Sequence, residues 1–273
     1  MILRYLSASA LFLACLWVML LSVRVQFSVA SGMLLLGLAH LVPLRRQEEK
    51  WDLYWDTLGW LAATLFAVVA TTYLRIPLQK YLGGAVALQH YHDRMRALPD
   101  WLAVVIILVL MDVVYYWGHR ATHRPWLWNQ HAWHHSPRYL TWLSGSRTTF
   151  VNHIVLMGLP VTLVGLLFPM PRAQWAVVFI IAGLRLVDHL HHTNLYLPWA
   201  RQIEYVFITP RMHFIHHSHQ RRYSDSNYGL IFTFCDRLFG TFTDPDSVPE
   251  SFPLGLNYRN SNWRLLLGLP PKG

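Results

Sequence analysis

Cysteine and acidic side chains are scarce in this sequence. Its 273 residues include two cysteines, Cys15 and Cys235, which lie far apart and belong to no Cys-x-x-Cys pair. No disulfide framework is therefore implied. Only 14 residues are Asp or Glu, and neither a His-Glu-x-x-His sequence nor a glutamate-rich helix pair occurs. These absences argue against a zinc protease of that class and against a carboxylate-bridged di-iron bundle.

Long apolar runs, by contrast, are abundant. Hydrophobic residues make up 54% of the chain and charged residues 14%, which is typical of a membrane protein. The candidate spans are 5–23, 27–44, 57–74, 101–118, 151–169 and 174–187. The first run also resembles the apolar region of a signal peptide, but a second run follows at once, which favours a retained spanning helix. The sequence thus predicts an all-α fold, a polytopic membrane helix bundle, with an interfacial amphipathic segment at 75–100.

The net charge of +9 is spread between the apolar runs. A nucleic-acid binder would gather its basic residues on one face or tail, so no nucleic-acid partner is expected. Pairs such as Arg45 and Arg46 suit loops beside an anionic lipid surface. If the first two spans form a hairpin, every histidine group falls on one face of the membrane, cytoplasmic by the positive-inside rule. The basic residues within 75–100 argue for the opposite orientation.

Histidine is unusually frequent, with 16 residues. It is a poor core residue and is costly near lipid unless it is paired or binds a metal. A metal site therefore explains such a load better than packing does. Eleven histidines form four tight groups, which are His119 and His123; His131, His134 and His135; His189, His191 and His192; and His213, His216 and His217.

The His-x-x-His-His pattern at 131–135 and again at 213–217 is the most specific feature. On a helix, positions i+3 and i+4 flank the same face, so adjacent imidazoles diverge and each can serve a different ion. The pair His119 and His123 is weaker alone, because two interfacial histidines would give the same spacing. Ligation by imidazole suits Fe, Zn, Cu or Ni and disfavours Mg or Ca. The pattern predicts a site for two transition-metal ions.

Several strings resemble the fatty-acid hydroxylase / sterol desaturase superfamily, in the expected order over residues 105–243. They are Asp112-x-x-Tyr-Tyr-Trp-x-His-Arg-x-x-His123, His131-Ala-Trp-His-His-Ser136, His213-Phe-Ile-His-His-Ser218, Asn227-Tyr-Gly229 and Asp236-Arg-Leu-Phe-Gly-Thr241. Residues 1–100 show only a compatible hydrophobic pattern. The resemblance implies a helical membrane bundle with a cytosolic helical cap, a di-metal site, O₂ and an external electron donor.

The resemblance implies that the two metal ions are iron, although imidazoles would also bind zinc. The third group leaves its spacing open, because either Asp188 or His189 can pair with His192; we favour His189 and His192. The full set of expected ligands is His119, His123, His131, His134, His135, His189, His192, His213, His216 and His217. Metal-bound imidazoles usually donate their other N–H to a neighbouring acceptor. The candidates for contacting the ligands in this outer position are Asp112, Asp188, His191, His219, Asp225 and Asp236.

The sequence is expected to divide into N-terminal transmembrane hairpins with the interfacial segment at 1–100, a catalytic domain at 101–243 and a C-terminal tail at 244–273. The expected activity is O₂-dependent hydroxylation or desaturation of a lipid or sterol in a multi-pass membrane enzyme. No segment resembles a cytochrome b5 haem domain or a dinucleotide fingerprint. Electrons are therefore expected from a separate reductase, ferredoxin or cytochrome b5-like protein.

Two other functions compete with this interpretation. The same scaffold could support isomerase or hydrolase chemistry at its metals, or the protein could be a non-enzymatic metal transporter or store. A transporter would place ionisable residues near mid-membrane. The histidine groups lie at span ends and beyond them, which counts against transport.

Overall fold

The computed structural model describes residues 23–47, 49–83, 86–169, 171 and 173–272. Within these ranges the regular structure is helical, and extended pairing is limited to three isolated bridges. The predicted all-α class is therefore confirmed. The first predicted span, 5–23, lies almost wholly outside the described residues.

The α-helices of the described chain are numbered α1 to α14. They are α1 Val23–Leu41, α2 Leu53–Ala70, α3 Ile76–Gly83, α4 Val86–Met95, α5 Asp100–Thr122, α6 Trp128–His131, α7 Phe150–His153, α8 Leu159–Leu167, α9 Gln174–His192, α10 Ala200–Ile203, α11 Pro210–His216, α12 Arg221–Ser224, α13 Phe234–Leu238 and α14 Asn262–Leu266. Five-residue π-helical turns at Thr71–Arg75 and Ile154–Gly158 join α2 to α3 and α7 to α8. Each joined pair continues as one helical rod.

Three helical stretches are long and apolar enough to cross a membrane. They are Leu53–Leu82, Asp100–Thr122 and Phe150–Leu167, at the positions of three predicted spans. The 23 residues of α5 rise about 34 Å, which exceeds the roughly 30 Å of a bilayer core. Asp100 in its first turn stabilises the helix through the macrodipole.

The structure differs from the prediction in the segment after the third span. The helix that begins at Leu53 continues beyond residue 74 through the π-turn to Gly83. Part of the expected interfacial segment 75–100 therefore extends a spanning helix. Pro77, which lacks a backbone donor, lies just after the π-turn at the start of α3, and the chain continues through it as a helix instead of ending there.

Two other predicted spans, 27–44 and 174–187, form α1 and α9. Within the described residues neither meets the length and composition of a membrane span, and Gln26–Leu41 of α1 is a shorter apolar helix. The C-terminal end of α9 carries Asp188 and three histidines, polar groups that need protein partners rather than lipid. The two helices pack against each other at Leu35, Ala39 and Leu190.

The central helix α5 links the apolar bundle to the C-terminal segment. Ala103 and Ile107 belong to a buried cluster with Val164 of α8 and residues of α9. One turn farther on, the buried Asp112 carboxylate accepts the backbone N–H groups of Leu230 and Ile231 at 2.9 and 2.7 Å. The same helix then delivers its histidines beside the segment that Asp112 holds.

Candidate metal centre

The C-terminal end of α5 places the first two histidines. His119 and His123 lie one helical turn apart, and both side chains are buried. His123 is the C-terminal cap of α5. The Nδ1 of His119 donates to the carbonyl of Tyr228 at 2.9 Å. This bond fixes the ring so that Nε2 is its free ligand atom.

Local capping sets the position of the second His-x-x-His-His motif. The Thr209 side chain accepts a hydrogen bond from the N–H of Met212, and Pro210 occupies the first turn of α11. Both features favour a helix start. α11 then carries the histidines of the motif, with His217 as its C-cap. In the first motif, α6 ends at His131 and consecutive turns carry the rest.

Nine buried histidines form two groups, and within each group the ligand atoms lie within 4.8 Å of one another. Adjacent histidines fall into different groups, as helical geometry predicts. The rings of His135 and His217 stack with centroids 4.6 Å apart, so the two groups are in contact. Group one comprises His119, His123, His131, His135 and His216, and group two comprises His134, His192, His213 and His217.

In group one, two imidazoles face each other through nitrogens that carry no proton. The Nε2 atoms of His119 and His131 are 3.2 Å apart. The Nδ1 of His131 donates to Asn152 Oδ1 at 2.9 Å, as that of His119 does to Tyr228, so each neutral ring has its proton on Nδ1. Two nitrogen lone pairs at this separation repel each other unless a cation binds both.

The remaining ligands of group one also present unpaired nitrogens. The Nδ1 of His216 donates to the carbonyl of Ser226 at 2.7 Å, and that of His123 donates to Asp225 Oδ1 at 3.1 Å. Their Nε2 atoms, and that of His135, are buried without a hydrogen-bond partner in the described part of the chain. Leaving buried polar atoms unpaired is costly, and a metal ion would satisfy all three.

Group two repeats the arrangement with one ligand fewer. The Nε2 atoms of His192 and His134 are 3.3 Å apart. The Nδ1 of His192 donates to the carbonyl of Asp188 at 2.8 Å, and the ring of His134 interacts with the backbone of Arg147. The Nε2 of His213 lies 2.9 Å from that of His192. Nitrogens bound at about 2.0–2.1 Å to a tetrahedral ion are about 3.3–3.4 Å apart. The residues of both groups therefore fit a metal ion.

Burial keeps the imidazoles in the form that binds a metal. Desolvation lowers the ring pKa because it disfavours the cation, and the neighbouring imidazoles lower it further by charge repulsion. The pKa is well below its ordinary value at His131, His134, His135, His213, His216 and His217. These rings are neutral at pH 7, the state that ligates a metal.

His189, the tenth expected ligand, lies outside both groups. Its Nε2 and Nδ1 are each 3.1 Å from a serine hydroxyl of α1, Ser28 and Ser31 respectively. Its ring packs against Trp142, with centroids 5.1 Å apart. His189 is nearly one turn before His192 on α9, where the helix faces α1 rather than α11. His189 thus joins two helices instead of completing a group.

The expected outer residues divide into two kinds. Asp225 contacts a ligand through its side chain, whereas Asp188 does so mainly through its carbonyl. Burial alone would raise the pKa of Asp225, but hydrogen bonds from His123 and Arg221 lower it, so the carboxylate is ionised at neutral pH. The ring of His191 lies 5.4 Å from that of His213 and hydrogen-bonds the carbonyl of Ile208.

Asp112 and Asp236 bind backbone rather than imidazole. Asp236 accepts the N–H groups of Tyr228 and Gly229 at 2.8 Å each. The carbonyl of Tyr228 accepts the hydrogen bond of the His119 ring. Asp236 therefore positions that ligand indirectly, through the backbone of Tyr228. His219 belongs to neither group, and its backbone N–H donates to the carbonyl of Pro253.

Several contacts to the ligands lie outside the expectations from sequence. Asn152 accepts from His131, the carbonyls of Ser226 and Tyr228 accept from His216 and His119, and the backbone of Arg147 interacts with the His134 ring. Every residue has a backbone carbonyl, so the sequence does not indicate which carbonyls accept these hydrogen bonds. Asn152 has one local signal, because Thr149 three residues earlier caps α7 and so starts the helix that carries it.

Comparison with known proteins gives a family match to this region. The model of the fatty acid hydroxylase family matches residues 104–241, about half of the chain. This range contains all nine histidines of the two groups. No solved structure matches the chain.

Curated relatives match over a similar length. The ornithine lipid hydroxylase of Rhizobium tropici is 32% identical over 171 residues, which are 61% of this chain and 49% of the relative. The alkylglycerol monooxygenase of Caenorhabditis elegans is 29% identical over 172 residues, 60% of this chain and 33% of the relative. A very-long-chain aldehyde decarbonylase of Oryza sativa subsp. indica is 28% identical over 174 residues, 58% and 27% respectively. The chain spans half or less of the length of these relatives.

Proposed function

Because this chain belongs to the fatty acid hydroxylase family, we propose that it is a membrane-bound oxygenase that hydroxylates a C–H bond of a lipid. Desaturation would be the same chemistry with a second hydrogen removed. The observation that carries the proposal is the facing of bare Nε2 atoms in both groups, at 3.2 Å in one and 3.3 Å in the other. The names of the relatives, an ornithine lipid hydroxylase and an alkylglycerol monooxygenase, support a lipid substrate.

Group one would hold one metal ion through five imidazoles, and group two would hold the other through four. We propose iron at both, since the family match favours oxygen chemistry, although zinc would also be accepted by these ligands. When bound, the ion pair supplies activation of O₂ for attack on an unactivated C–H bond. His189 is not included in this proposed ligand set.

The side chains of this chain would orient the centre and keep it dry. Nδ1 hydrogen bonds to Tyr228, Asn152 and Ser226 direct the Nε2 atoms of group one inward and fix their tautomers. All nine ligands are less than a tenth exposed, so bulk water is excluded from the reacting carbon. The aromatic rings of Trp128 and Tyr228 lie 5.3 and 5.0 Å from the ring of His123 and help to shield it from water.

The arrangement in the membrane extends the proposal. We assign the catalytic domain to 101–243, the N-terminal transmembrane segments to 1–100 and a supporting tail to 244–273. The two groups lie at the end of α5 and beyond it, so a lipid substrate would approach from the bilayer. We place this end on the cytoplasmic side, where a separate reductase, ferredoxin or cytochrome b5-like protein would deliver electrons.

The proposal is tested by metal content together with oxygen consumption and lipid analysis. Protein purified in detergent should hold about two iron ions per chain and consume O₂ in the presence of a reductant. Cells that express it should contain a hydroxylated lipid that control cells lack, detected by lipid mass spectrometry. His134→Ala and His216→Ala should abolish the product but not membrane insertion, while the exposed His40→Ala should behave as the wild type. Purified wild-type protein without tightly held metal would contradict the proposal.

A further inference from the structure

Arg147 is a buried cation beside group two, and its partners come from distant parts of the chain. It is 3% exposed, and its Nε donates to Asp56 Oδ1 at 2.6 Å. Asp56 is fully buried in the first turn of α2, where Trp51 Nε1 also donates to its carboxylate at 2.7 Å. The ion pair therefore joins the start of a membrane-spanning helix to the loop after the first His-x-x-His-His motif.

Arg147 contacts that motif from both its backbone and its side chain. Its backbone interacts with the His134 ring. Its Nη1 donates to Ser136 Oγ at 3.1 Å, directly after His135. Arg147 thus contacts the C-terminal part of the motif through its backbone at His134 and through its side chain at Ser136, and both contacts restrict how this part of the motif can move.

The turn that leads into Arg147 supports a second ligand of the same group. Gly145 lies in the turn Ser144–Ser146, directly against the His192 ring: a Cβ at this glycine would come within 2.4 Å of His192 Nδ1. On the other side, α2 approaches Arg147 closely at Gly59, where a Cβ would lie 3.0 Å from the Cα of Arg147. The loop is thus held between α2 and two ligands of group two.

We propose that Arg147 is a positioning residue for group two, and that the Asp56–Arg147 pair lets the spanning helix α2 set the geometry of that metal site. This inference rests on the proposed function. The ring hydrogen bonds of group one go instead to Asn152, Tyr228, Ser226 and Asp225, and Arg147 approaches this group through Ser136, next to His135. The prediction is therefore selective, because a fault in the ion pair disturbs one of the two metals.

The test measures metal affinity separately at the two groups in the purified full chain. Co²⁺ is titrated into metal-free protein and followed by its visible spectrum, with His134→Ala and His216→Ala identifying the spectrum of each group. Asp56→Asn keeps the size of the side chain and removes its charge. It should weaken metal binding at group two by about tenfold to hundredfold, the usual effect of losing an outer partner, and leave group one unchanged.

The control is another arginine–carboxylate pair. Arg138 and Glu49 lie 3.7 Å apart and are both more than half exposed, so Arg138→Gln should leave both affinities unchanged. If Asp56→Asn does not give folded protein, Gly59→Ala decides: it keeps every charge and displaces the Arg147 backbone, and should show the same selective loss. Equal weakening of both groups, or wild-type affinity at group two, in the folded variant would overturn the inference. Wild-type protein that binds no metal would instead overturn the proposed function itself.

Discussion

The two histidine groups contain the same ligand chemistry but differ in how their rings are held. In group one, the outer nitrogens of four of five rings are bonded to Tyr228, Asn152, Asp225 and Ser226. In group two, Nδ1 of His192 donates to the carbonyl of Asp188 and the His134 ring interacts with the backbone of Arg147, while Nδ1 of His213 and of His217 is buried without a partner in the described part of the chain. Group one is the better oriented before any metal binds.

This difference indicates in which group the metal ion contributes most to ordering the ligand rings. Rings whose second nitrogen is fixed lose little freedom on binding, whereas unfixed rings must be ordered by the ion itself. We therefore expect group one to bind its ion more tightly and group two to respond more to its surroundings.

The largest expected effect comes from removing one ligand in each group. His216→Ala should leave about one metal ion per chain, held by group two, and His213→Ala should leave about one, held by group one. Both should reduce product formation to background, because the chemistry needs both ions. Elemental analysis of the purified variants checks the stoichiometry, with His40→Ala as the exposed control. Retention of both ions in either variant would show that the assignment to groups is wrong.

Treatment with a chelator should separate the groups in time. Group two has four ligands, and two of its rings have no hydrogen bond at the outer nitrogen. It should therefore lose its ion first, at least about tenfold faster than group one. Samples withdrawn during chelation and analysed for metal should therefore show two phases. In His216→Ala only the fast phase should remain, and in His213→Ala only the slow one. A single phase in the wild type would remove the difference on which the comparison rests.

The division of adjacent histidines between groups follows from the sequence alone. Helical rotation turns neighbouring side chains about 100° apart, and His134 with His135, like His216 with His217, separates in this way. Three of the predicted spans likewise follow from apolar runs of sufficient length. These features depend on local periodicity, which a sequence displays directly.

Asp225 and Asp188, expected from the sequence to contact the ligands, do so, but the other supporting contacts depend on the packing of distant segments and could not be predicted. Arg147 and Asp56 are 91 residues apart in the chain, and only the approach of α2 at Gly59 brings them together. The position of His189 outside the two groups has the same origin. Its spacing suits ligation as well as that of His192 does, but α1 covers His189 with two serines, while α11 meets His192 with His213.

A smaller effect is expected from the partner of His131. Asn152→Ala removes the acceptor that fixes this ring, and should weaken metal binding at group one by about tenfold to hundredfold while group two keeps its affinity. Group one would then have a second ring, besides that of His135, without a bond at its outer nitrogen, as group two has at His213 and His217. Calorimetric or spectroscopic metal titration of the metal-free protein measures the change. Asn260→Ala, near the C-terminus, should have no effect, and an equal loss at both groups would indicate general unfolding instead.

The smallest expected effect is at Asp225, which is 38% exposed. Asp225→Asn keeps an acceptor for the His123 ring but loses the charge, so metal affinity at group one should fall only a few-fold, since an exposed pair is worth little.

The lowered pKa of Asp225 means that its carboxylate stabilises the fold at neutral pH. That contribution is lost only when the pH falls through and below the ordinary carboxyl range. Thermal unfolding of the metal-free protein from pH 7 to pH 3 should therefore show a smaller acid-induced loss of stability in Asp225→Asn than in the wild type. Identical acid profiles would mean that His123 is held by its burial among the other rings rather than by this carboxylate.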